Sequence, residues 1–149
     1  MSNSIADYLA ENGTLTYTNV GVSMLPLLRQ GKDLFTVRRK GPERCKRGDV
    51  VLYRRGEQYV LHRVIKVRPD DYVILGDNCV GKEYGVTDAD IIGVMTGYVR
   101  GGKEHSVQDG SYRMYSWFIL RTIGLRVFLK RSRMKLSHGL KRVREQRKA

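Results

Sequence analysis

Two polar residues stand out in this chain because their side chains could perform chemistry together. Ser23 lies in the run Gly-Val-Ser-Met-Leu-Pro at 21–26, and His62 follows in the middle of the apolar run 59–65. A serine hydroxyl is a weak nucleophile at neutral pH unless a base within hydrogen-bond reach takes its proton, and a neutral imidazole is such a base. We therefore predict that Ser23 is a nucleophile and that His62 is its general base.

A carboxylate that could complete this pair follows the apolar run 73–75. It belongs to Asp77, in the sequence Gly-Asp-Asn at 76–78. An acid that accepts a hydrogen bond from an imidazole fixes the orientation of the ring, as the third member of a catalytic triad does. We predict this orienting role for Asp77.

The residues around His62 favour the neutral form of its ring. In an alternating strand His62 lies on the same face as Val60 and Val64. Apolar surroundings disfavour the imidazolium ion, so the ring should be available as a base. Activity should then fall on acidification as the ring becomes protonated, and a rate that stays flat from about pH 5 to 8 would count against an imidazole base.

Short strands separated by turn residues fill the region that must position these side chains. Pro26 disfavours helix at the preceding residue, so a turn or loop presents Ser23. Residues 76–90 are predicted to form a long loop. The predicted strands occupy residues 15–20, 34–37, 49–54, 58–67, 72–75 and 91–99. This pattern predicts a mainly β fold with an antiparallel, barrel-like sheet.

The chain divides into three predicted segments. Residues 1–14 form a helical lead, with a helix at 5–10 that stops at Gly13. Residues 15–100 form the β domain, and residues 101–149 form a basic, amphipathic helical tail. Ser111 is placed to cap the tail helix, and an apolar stripe at helical spacing follows it.

The positive charge of the protein is concentrated in the tail. The 149 residues carry a formal net charge of +13, and residues 100–149 hold 14 Lys and Arg against 3 Asp and Glu. Such a tail prefers an anionic surface. We expect an anionic membrane surface as the partner, a helix packed on the sheet with a solvated outer face as a close alternative, and nucleic acid third, since no nucleic-acid-reading motif is present.

The sequence gives no indication of a metal, a cofactor or an export element. Cys45 and Cys79 form no metal-type spacing with the three histidines, and of the two alternatives, a single disulfide or a reducing compartment, the reducing compartment is the simpler interpretation. No signal peptide is visible at the N-terminus, and no stretch reaches the roughly 20 apolar residues that span a bilayer. We expect a cytoplasmic protein or a peripheral one on the inner membrane surface.

Four short motifs, in this order along the chain, resemble those of type I signal peptidases and their relatives, which include the self-cleaving repressors of the SOS response. They are Ser-Met-Leu-Pro at 23–26, Lys-Arg-Gly-Asp-Val-Val at 46–51, His-Arg-Val-Ile at 62–65 and Gly-Asp-Asn at 76–78. Most bacterial members of this family have a lysine as the base. The histidine at 62 is similar to the archaeal and endoplasmic-reticulum branch.

This resemblance implies roles for particular residues. It implies Ser23 as nucleophile, His62 as general base and Asp77 as supporting acid, with the backbone N–H of Ser23 as an oxyanion donor. It also implies a second acid a few residues later and an apolar groove for the substrate. The possible second acids are Glu83, Asp88 and Asp90, and the possible groove residues are Met24 and Leu25.

The function predicted from the sequence is that of a serine endopeptidase that cleaves an extended, leader-like peptide without a cofactor. The alternative is a non-catalytic module that grips a peptide and anchors its basic tail to anionic membrane or nucleic acid. A serine-directed acylating probe separates the two, because only the enzyme activates Ser23.

Overall fold

Eight β-strands follow a short N-terminal helix and precede two C-terminal helices in the structure, a computed structural model that describes residues 4–147. The strands are Thr14–Thr18 (β1), Leu34–Arg39 (β2), Val50–Arg55 (β3), Gln58–Val67 (β4), Tyr72–Leu75 (β5), Glu83–Val86 (β6), Ile91–Arg100 (β7) and Lys103–Ser106 (β8). The helices are Ile5–Asn12 (α1), Gly110–Arg121 (α2) and Ile123–Gln146 (α3).

The strands form one sheet in the order β1-β2-β7-β3-β4-β5-β6, and every pairing is antiparallel. Strand β7 is long enough to pair with β3 through its first half and with β8 through its last residues. The predicted mainly β, antiparallel fold is therefore confirmed. The sheet is not closed, however, because β1 and β6 each pair with a single strand among the described residues.

The centre of the sheet is buried on both faces. Residues 50–53 of β3 are all buried, although their side chains alternate between the two faces. Val50 and Leu52 pack into a core with α1, the turn after β1 and α2. Val51 and Tyr53 pack on the other face against β4, β5 and β7. His62 of β4 lies directly opposite Val51 in the β3–β4 ladder.

The N-terminal helix matches its predicted position closely. Ser4 caps α1 through a reciprocal pair of hydrogen bonds with Asp7, which satisfies two otherwise unpaired N–H groups. Gly13 ends the helix in the left-handed region, with φ of 77°. Leu9 anchors this helix in the core.

Two strands and one helix boundary differ from the sequence prediction. Strand β6 lies inside the predicted loop 76–90, and β8 extends the sheet into the predicted tail through a tight turn at Gly101 and Gly102, which both have positive φ. Helix α2 begins at Gly110 with Asp109 at its N-cap, so the prediction of Ser111 as the cap was wrong. The tail is helical as predicted, but Thr122 divides it into two helices.

None of the helices within residues 4–147 combines the length and the apolar composition needed to cross a bilayer.

Candidate functional site

Ser23 lies in a compact turn that connects β1 to β2. The N–H of Leu25 donates to the carbonyl of Val22 at 3.2 Å, and the N–H of Leu28 donates to the carbonyl of Met24 at 3.0 Å. Met24 and Leu28 are almost fully buried, so they fix the turn to the core, while Ser23 remains half-buried. The predicted presentation of Ser23 by a turn is confirmed.

The loop that follows β5 holds this turn in place. The backbone N–H of Asn78 donates to the carbonyl oxygen of Ser23 at 2.8 Å. The side-chain amide of Asn78 donates to the carbonyl of Val22 at 3.0 Å. Two motifs that are more than fifty positions apart in the sequence are thus bound to each other by one main-chain hydrogen bond and one from a side chain to the main chain.

Gly76 marks the point at which the Ser23 turn meets the His62 ring. A β-carbon placed on Gly76 would lie 2.8 Å from the carbonyl oxygen of Ser23 and 3.0 Å from Cδ2 of His62. It would also lie 2.7 Å from Sγ of Cys79. These separations are shorter than van der Waals contact, so only glycine allows the turn, the ring and the loop to pack this closely.

His62 is buried in an apolar environment that keeps its ring neutral. The residue is only 6% exposed. The pKa of His62 is lowered from 6.5 to about 4, chiefly by burial; the positive charge of Arg55 acts in the same direction, and the negative charge of Asp77 opposes the shift. Nδ1 lies 3.3 Å from the hydroxyl of Tyr53. The expectation of a neutral imidazole at physiological pH is therefore met.

Asp77 is committed to partners other than His62. Its carboxylate accepts two hydrogen bonds from Arg63, Nε to Oδ1 and Nη2 to Oδ2, each at 2.8 Å. It accepts a third from the hydroxyl of Tyr115 at 2.8 Å. No hydrogen bond joins Asp77 to His62 within residues 4–147. The prediction that Asp77 orients the ring by direct contact is corrected accordingly, because the carboxylate of Asp77 pairs with the buried guanidinium of Arg63 instead.

Of the possible second acids, Glu83 lies nearest to the imidazole. Its Oε1 is 3.8 Å from Nδ1 of His62, on the same side as the Tyr53 hydroxyl. Glu83 also forms an ion pair with Arg55. Because the ring is neutral, the contact between Glu83 and His62 is a dipolar one rather than a salt bridge.

The other two acids serve local structure elsewhere. Asp88 accepts a hydrogen bond from the hydroxyl of Tyr72 at 2.6 Å and pairs with Lys40 at 3.3 Å. Asp90 accepts from the N–H and the hydroxyl of Thr87 and so stabilises a turn. The prediction that either acid supports His62 is not met by these contacts.

An apolar groove of about 850 Å³ opens beside the Ser23 turn. Leu25 lines it, as predicted, together with Cys79 and residues of α2 and α3 that include Phe118 and Leu129. Met24 does not line it, because its side chain is buried in the core and is only 1% exposed. The prediction of Met24 as a substrate-binding residue is therefore corrected, since the turn directs its side chain into the core.

Arg63 is a site residue that the sequence prediction missed. It is fully buried, and besides Asp77 it donates to the carbonyl of Gly48 and to the hydroxyl of Ser116, both at 2.9 Å. Its signal was present in the sequence, because an arginine on a continuously apolar strand must find a partner when it is buried. Through Arg63 the β4 strand, the Asp77 loop and α2 become one hydrogen-bonded unit.

Helix α3 also contacts the Asp77 loop, through hydrogen bonds on the side away from the sheet. The guanidinium of Arg126 donates to the carbonyl of Asp77 at 2.7 Å. The ammonium of Lys130 donates to Oδ1 of Asn78 at 2.7 Å and to the carbonyl oxygen of that residue. The loop that binds the Ser23 turn is thus held between the sheet and the basic tail.

Neither cysteine has the properties of a reactive thiolate. Burial raises the pKa of Cys45 to about 11, and burial also raises the pKa of Cys79. Both thiols are free. In the described part of the chain, no three His, Cys, Asp or Glu side chains are grouped as metal ligands.

The arrangement leaves one ring nitrogen and one backbone donor for chemistry. Nδ1 of His62 is turned toward Tyr53 and Glu83, so Nε2 is the nitrogen left to accept a proton. The N–H of Ser23 donates to no acceptor among residues 4–147 and is suited to an oxyanion. The hydroxyl of Ser23 and the ring make no hydrogen bond with each other in the described structure, and such bonds commonly tighten only when substrate binds.

Comparisons with known protein families, with curated protein sequences and with solved structures give no match for this chain. The resemblance to type I signal peptidases therefore remains a prediction from four short motifs.

Proposed function

We propose that this protein is a serine endopeptidase with Ser23 as the nucleophile and His62 as the general base. The observation that carries the proposal is the close packing at Gly76. The carbonyl oxygen of Ser23 and Cδ2 of His62 both lie within 3.0 Å of the position that a β-carbon on Gly76 would occupy. A turn that presents a serine beside a buried, neutral imidazole is the arrangement that nucleophilic acyl transfer requires.

The reaction begins when Nε2 of His62 takes the hydroxyl proton of Ser23 and the oxygen attacks the scissile carbonyl. The resulting oxyanion is stabilised by the backbone N–H of Ser23. The tetrahedral intermediate collapses, His62 returns the proton to the departing amine, and an acyl-enzyme remains. Water then gives its proton to His62 and attacks the ester, which releases the acid and restores both side chains.

Glu83 and Tyr53 are the groups suited to orient the base. Both lie on the Nδ1 side of His62, at 3.8 Å and 3.3 Å. A Nδ1–H directed toward this oxygen pair leaves the lone pair of Nε2 free, which is the tautomer that a base acting on Ser23 needs. We assign Asp77 an indirect role, in which it holds the loop that binds the Ser23 turn.

The proposed substrate is an extended peptide with apolar residues near the scissile bond. Strand β1 is an edge strand that ends five positions before Ser23, so a peptide that pairs with it would be directed toward the turn. The groove beside the turn is lined by Leu25, Phe118 and Leu129 and offers apolar contact to the peptide side chains.

The experiment that tests this function compares Ser23→Ala and His62→Ala with a matched control, Ser111→Ala, whose serine is exposed on α2. The purified proteins are treated with a fluorophosphonate probe, and the labelled residue is found by peptide mass spectrometry. Peptide cleavage is followed in parallel with a pool of extended peptides. Circular dichroism and thermal melting establish that each variant is folded.

We expect labelling at Ser23 in the parent protein and in Ser111→Ala, no labelling in Ser23→Ala, and a loss of at least about a hundredfold in His62→Ala. Cleavage should follow the same order. Cleavage that survives in a folded Ser23→Ala variant would remove this residue from the mechanism.

The alternative is a non-catalytic peptide-binding module. It is favoured by one specific observation, that no carboxylate hydrogen-bonds to His62 among residues 4–147, since Asp77 is occupied by Arg63. The module predicts no labelling of Ser23 in the parent protein and unchanged peptide affinity in Ser23→Ala. The enzyme instead predicts labelling of Ser23 in the parent protein.

A further inference from the structure

Helix α3 is 24 residues long and buries none of them. Its N-terminal turns are tied to the loop after β5 by Arg126, Lys130 and Arg131, whereas residues 133–147 are all exposed. At 1.5 Å per residue it spans about 36 Å. A helix without a buried face is unusual, because most helical stability in proteins comes from such a face.

An apolar stripe runs along this unpartnered helix. Its members are at least half exposed and recur at spacings of three, four and seven residues, which places them within about 120° of one another around the helix axis. They are Leu125, Phe128, Leu129, Leu136, Leu140 and Val143. The stripe continues onto α2, because Phe118 and Leu129 line the same groove, and Trp117 beside Phe118 is 64% exposed.

Cations flank the stripe on both sides. Helix α3 carries eight Lys and Arg and a single acid, Glu145, and α2 carries two Arg and no acid. By helical geometry Arg133 and Arg144 border one side of the stripe, and Lys135 and Arg142 border the other. None of these four forms a salt bridge with another residue in the described part of the chain.

We propose that the face formed by the apolar stripe of α3 and by Trp117 and Phe118 of α2 lies on an anionic lipid bilayer. Lipid chains take up the apolar side chains, and lipid phosphates meet the lysines and arginines at the level of the headgroups. The partner must be anionic and apolar at once, and the bilayer surface combines the two properties. The proposal goes beyond the peptidase function and does not rest on it.

The charge distribution argues against other occupants of this face. A second copy of the helix would bring eight cations against eight, with one acid on each side to offset them. A nucleic acid would match the charge but would leave six exposed apolar side chains in water. Charge and apolar area agree only for an anionic membrane.

Membrane binding by this face would also place the groove near the bilayer. Phe118 and Leu129 belong both to the face and to the groove beside Ser23. Arg126 and Lys130 connect the same helix to the loop that holds the Ser23 turn. A peptide that emerges from the headgroup region would therefore meet the groove directly.

The test is flotation of the full chain with vesicles of phosphatidylcholine, with or without phosphatidylglycerol. We expect flotation with the anionic vesicles only, and a decrease as salt is added. Leu136→Ser/Leu140→Ser should lower the partition by about tenfold or more. Lys141→Glu/Arg142→Glu/Arg144→Glu should lower it by about a hundredfold or more. Because α3 buries no residue, these variants should keep the melting temperature of the parent.

The control variants place equal changes on the β domain. Lys66→Glu/Lys82→Glu/Lys103→Glu alters the net charge by the same amount, and Val67→Ser/Tyr84→Ser removes two exposed apolar side chains; both should float as the parent does. Ser23→Ala should also float normally, which separates this proposal from the peptidase function. The proposal is overturned by absence of flotation, by equal losses in the control variants, or by tail variants that lose only dimerisation in light scattering or only RNA binding in a gel shift.

Discussion

Arg63 and Asp77 face each other as a buried, two-point ion pair, with both N–O distances at 2.8 Å and both side chains essentially excluded from solvent. Arg63 is the neighbour of His62 on β4, and Asp77 begins the loop whose next residue, Asn78, binds the carbonyl of Ser23. The pair therefore links the strand that carries His62 to the loop that binds the Ser23 turn. Its geometry is structural rather than catalytic.

Removing one partner of this pair should be strongly destabilising. Asp77→Ala leaves the Arg63 guanidinium buried without a counter-charge, which costs about 3–5 kcal/mol of the free energy of unfolding. Urea denaturation measures this loss. Glu43→Gln, which alters the exposed pair of Arg38 and Glu43 at 3.1 Å, is the matched control and should cost about 0–1 kcal/mol. A loss below 1 kcal/mol in Asp77→Ala would contradict the assignment.

A methyl group at Gly76 should separate Ser23 from His62. Its β-carbon would lie under 3.0 Å from the carbonyl oxygen of Ser23, so the backbone of the turn must move. We expect Gly76→Ala to cost about 1–3 kcal/mol of stability and to lower the rate of Ser23 acylation by about a hundredfold. Thermal melting and probe labelling measure the two effects.

The control for this change is Gly81→Ala. Gly81 lies in the same loop, is exposed and has open space around the position of a β-carbon. It should retain the parent's stability and labelling rate. Equal behaviour of the two alanine variants would show that the close packing at Gly76 does not position the nucleophile.

Acid should destabilise the fold through His62 in a defined pH window. Burial lowers the pKa of His62 to about 4 in the folded chain. As the pH falls, His62 is therefore protonated near pH 6.5 in the unfolded chain but only near pH 4 in the folded chain. The stabilisation is complete above pH 6.5 and is lost as the pH falls toward 4, by roughly 3 kcal/mol in total. Urea denaturation from pH 4.5 to pH 8 measures the slope, which His62→Gln should lack.

The lowered pKa of His62 also changes the expected pH profile of catalysis. Because the ring stays neutral down to about pH 4, the acylation rate should be flat between about pH 8 and 5 and should fall only below that range. The criterion drawn from the sequence, that a flat rate from about pH 5 to 8 would count against an imidazole base, is corrected accordingly, because the lowered pKa of His62 lies below that range. A fall centred near pH 6.5 would show that the folded ring is not desolvated as described.

Glu83 should be the acid whose loss affects the base. Its carboxylate is 3.8 Å from Nδ1 of His62, so Glu83→Gln should lower the acylation rate by about tenfold or more without lowering the affinity for peptide. Asp88→Asn is the control, since Asp88 contacts Tyr72 and Lys40 instead. If the two variants have the same rate, the orientation of the ring depends on Tyr53 alone.

The sequence predicted those features that depend on local pattern. Alternation and turn residues located six of the strands, Gly13 located the end of α1, and Pro26 indicated the turn at Ser23. Strands β6 and β8 were missed because each is only four residues long, β6 contains a glycine and β8 is wholly polar, so that only pairing with a neighbour stabilises them.

The composition of the site was harder to predict because it depends on which side chains meet in space. Asp77 belongs to the Gly-Asp-Asn motif and Glu83 follows it closely. Nothing in their spacing shows which of the two carboxylates will pair with Arg63 and which will lie beside His62. The direction of Met24 is likewise decided by packing of the turn against the core. Burial and competition among partners are properties of the folded chain.

The contact of α3 with the Asp77 loop gives a final prediction. Arg126→Ala removes the hydrogen bond from its guanidinium to the carbonyl of Asp77, and this carbonyl is then left without that charged donor. We expect faster amide exchange in the first turns of α3 and in residues 77–80, with little change in the sheet. Arg133→Ala is the matched control on the same helix, because the side chain of Arg133, unlike that of Arg126, makes no hydrogen bond to the Asp77 loop among the described residues. If acylation of Ser23 also slows in Arg126→Ala but not in Arg133→Ala, the tail positions Ser23 through the Asp77 loop. Unchanged amide exchange in both variants would show that α3 is held by its apolar contacts in the groove instead.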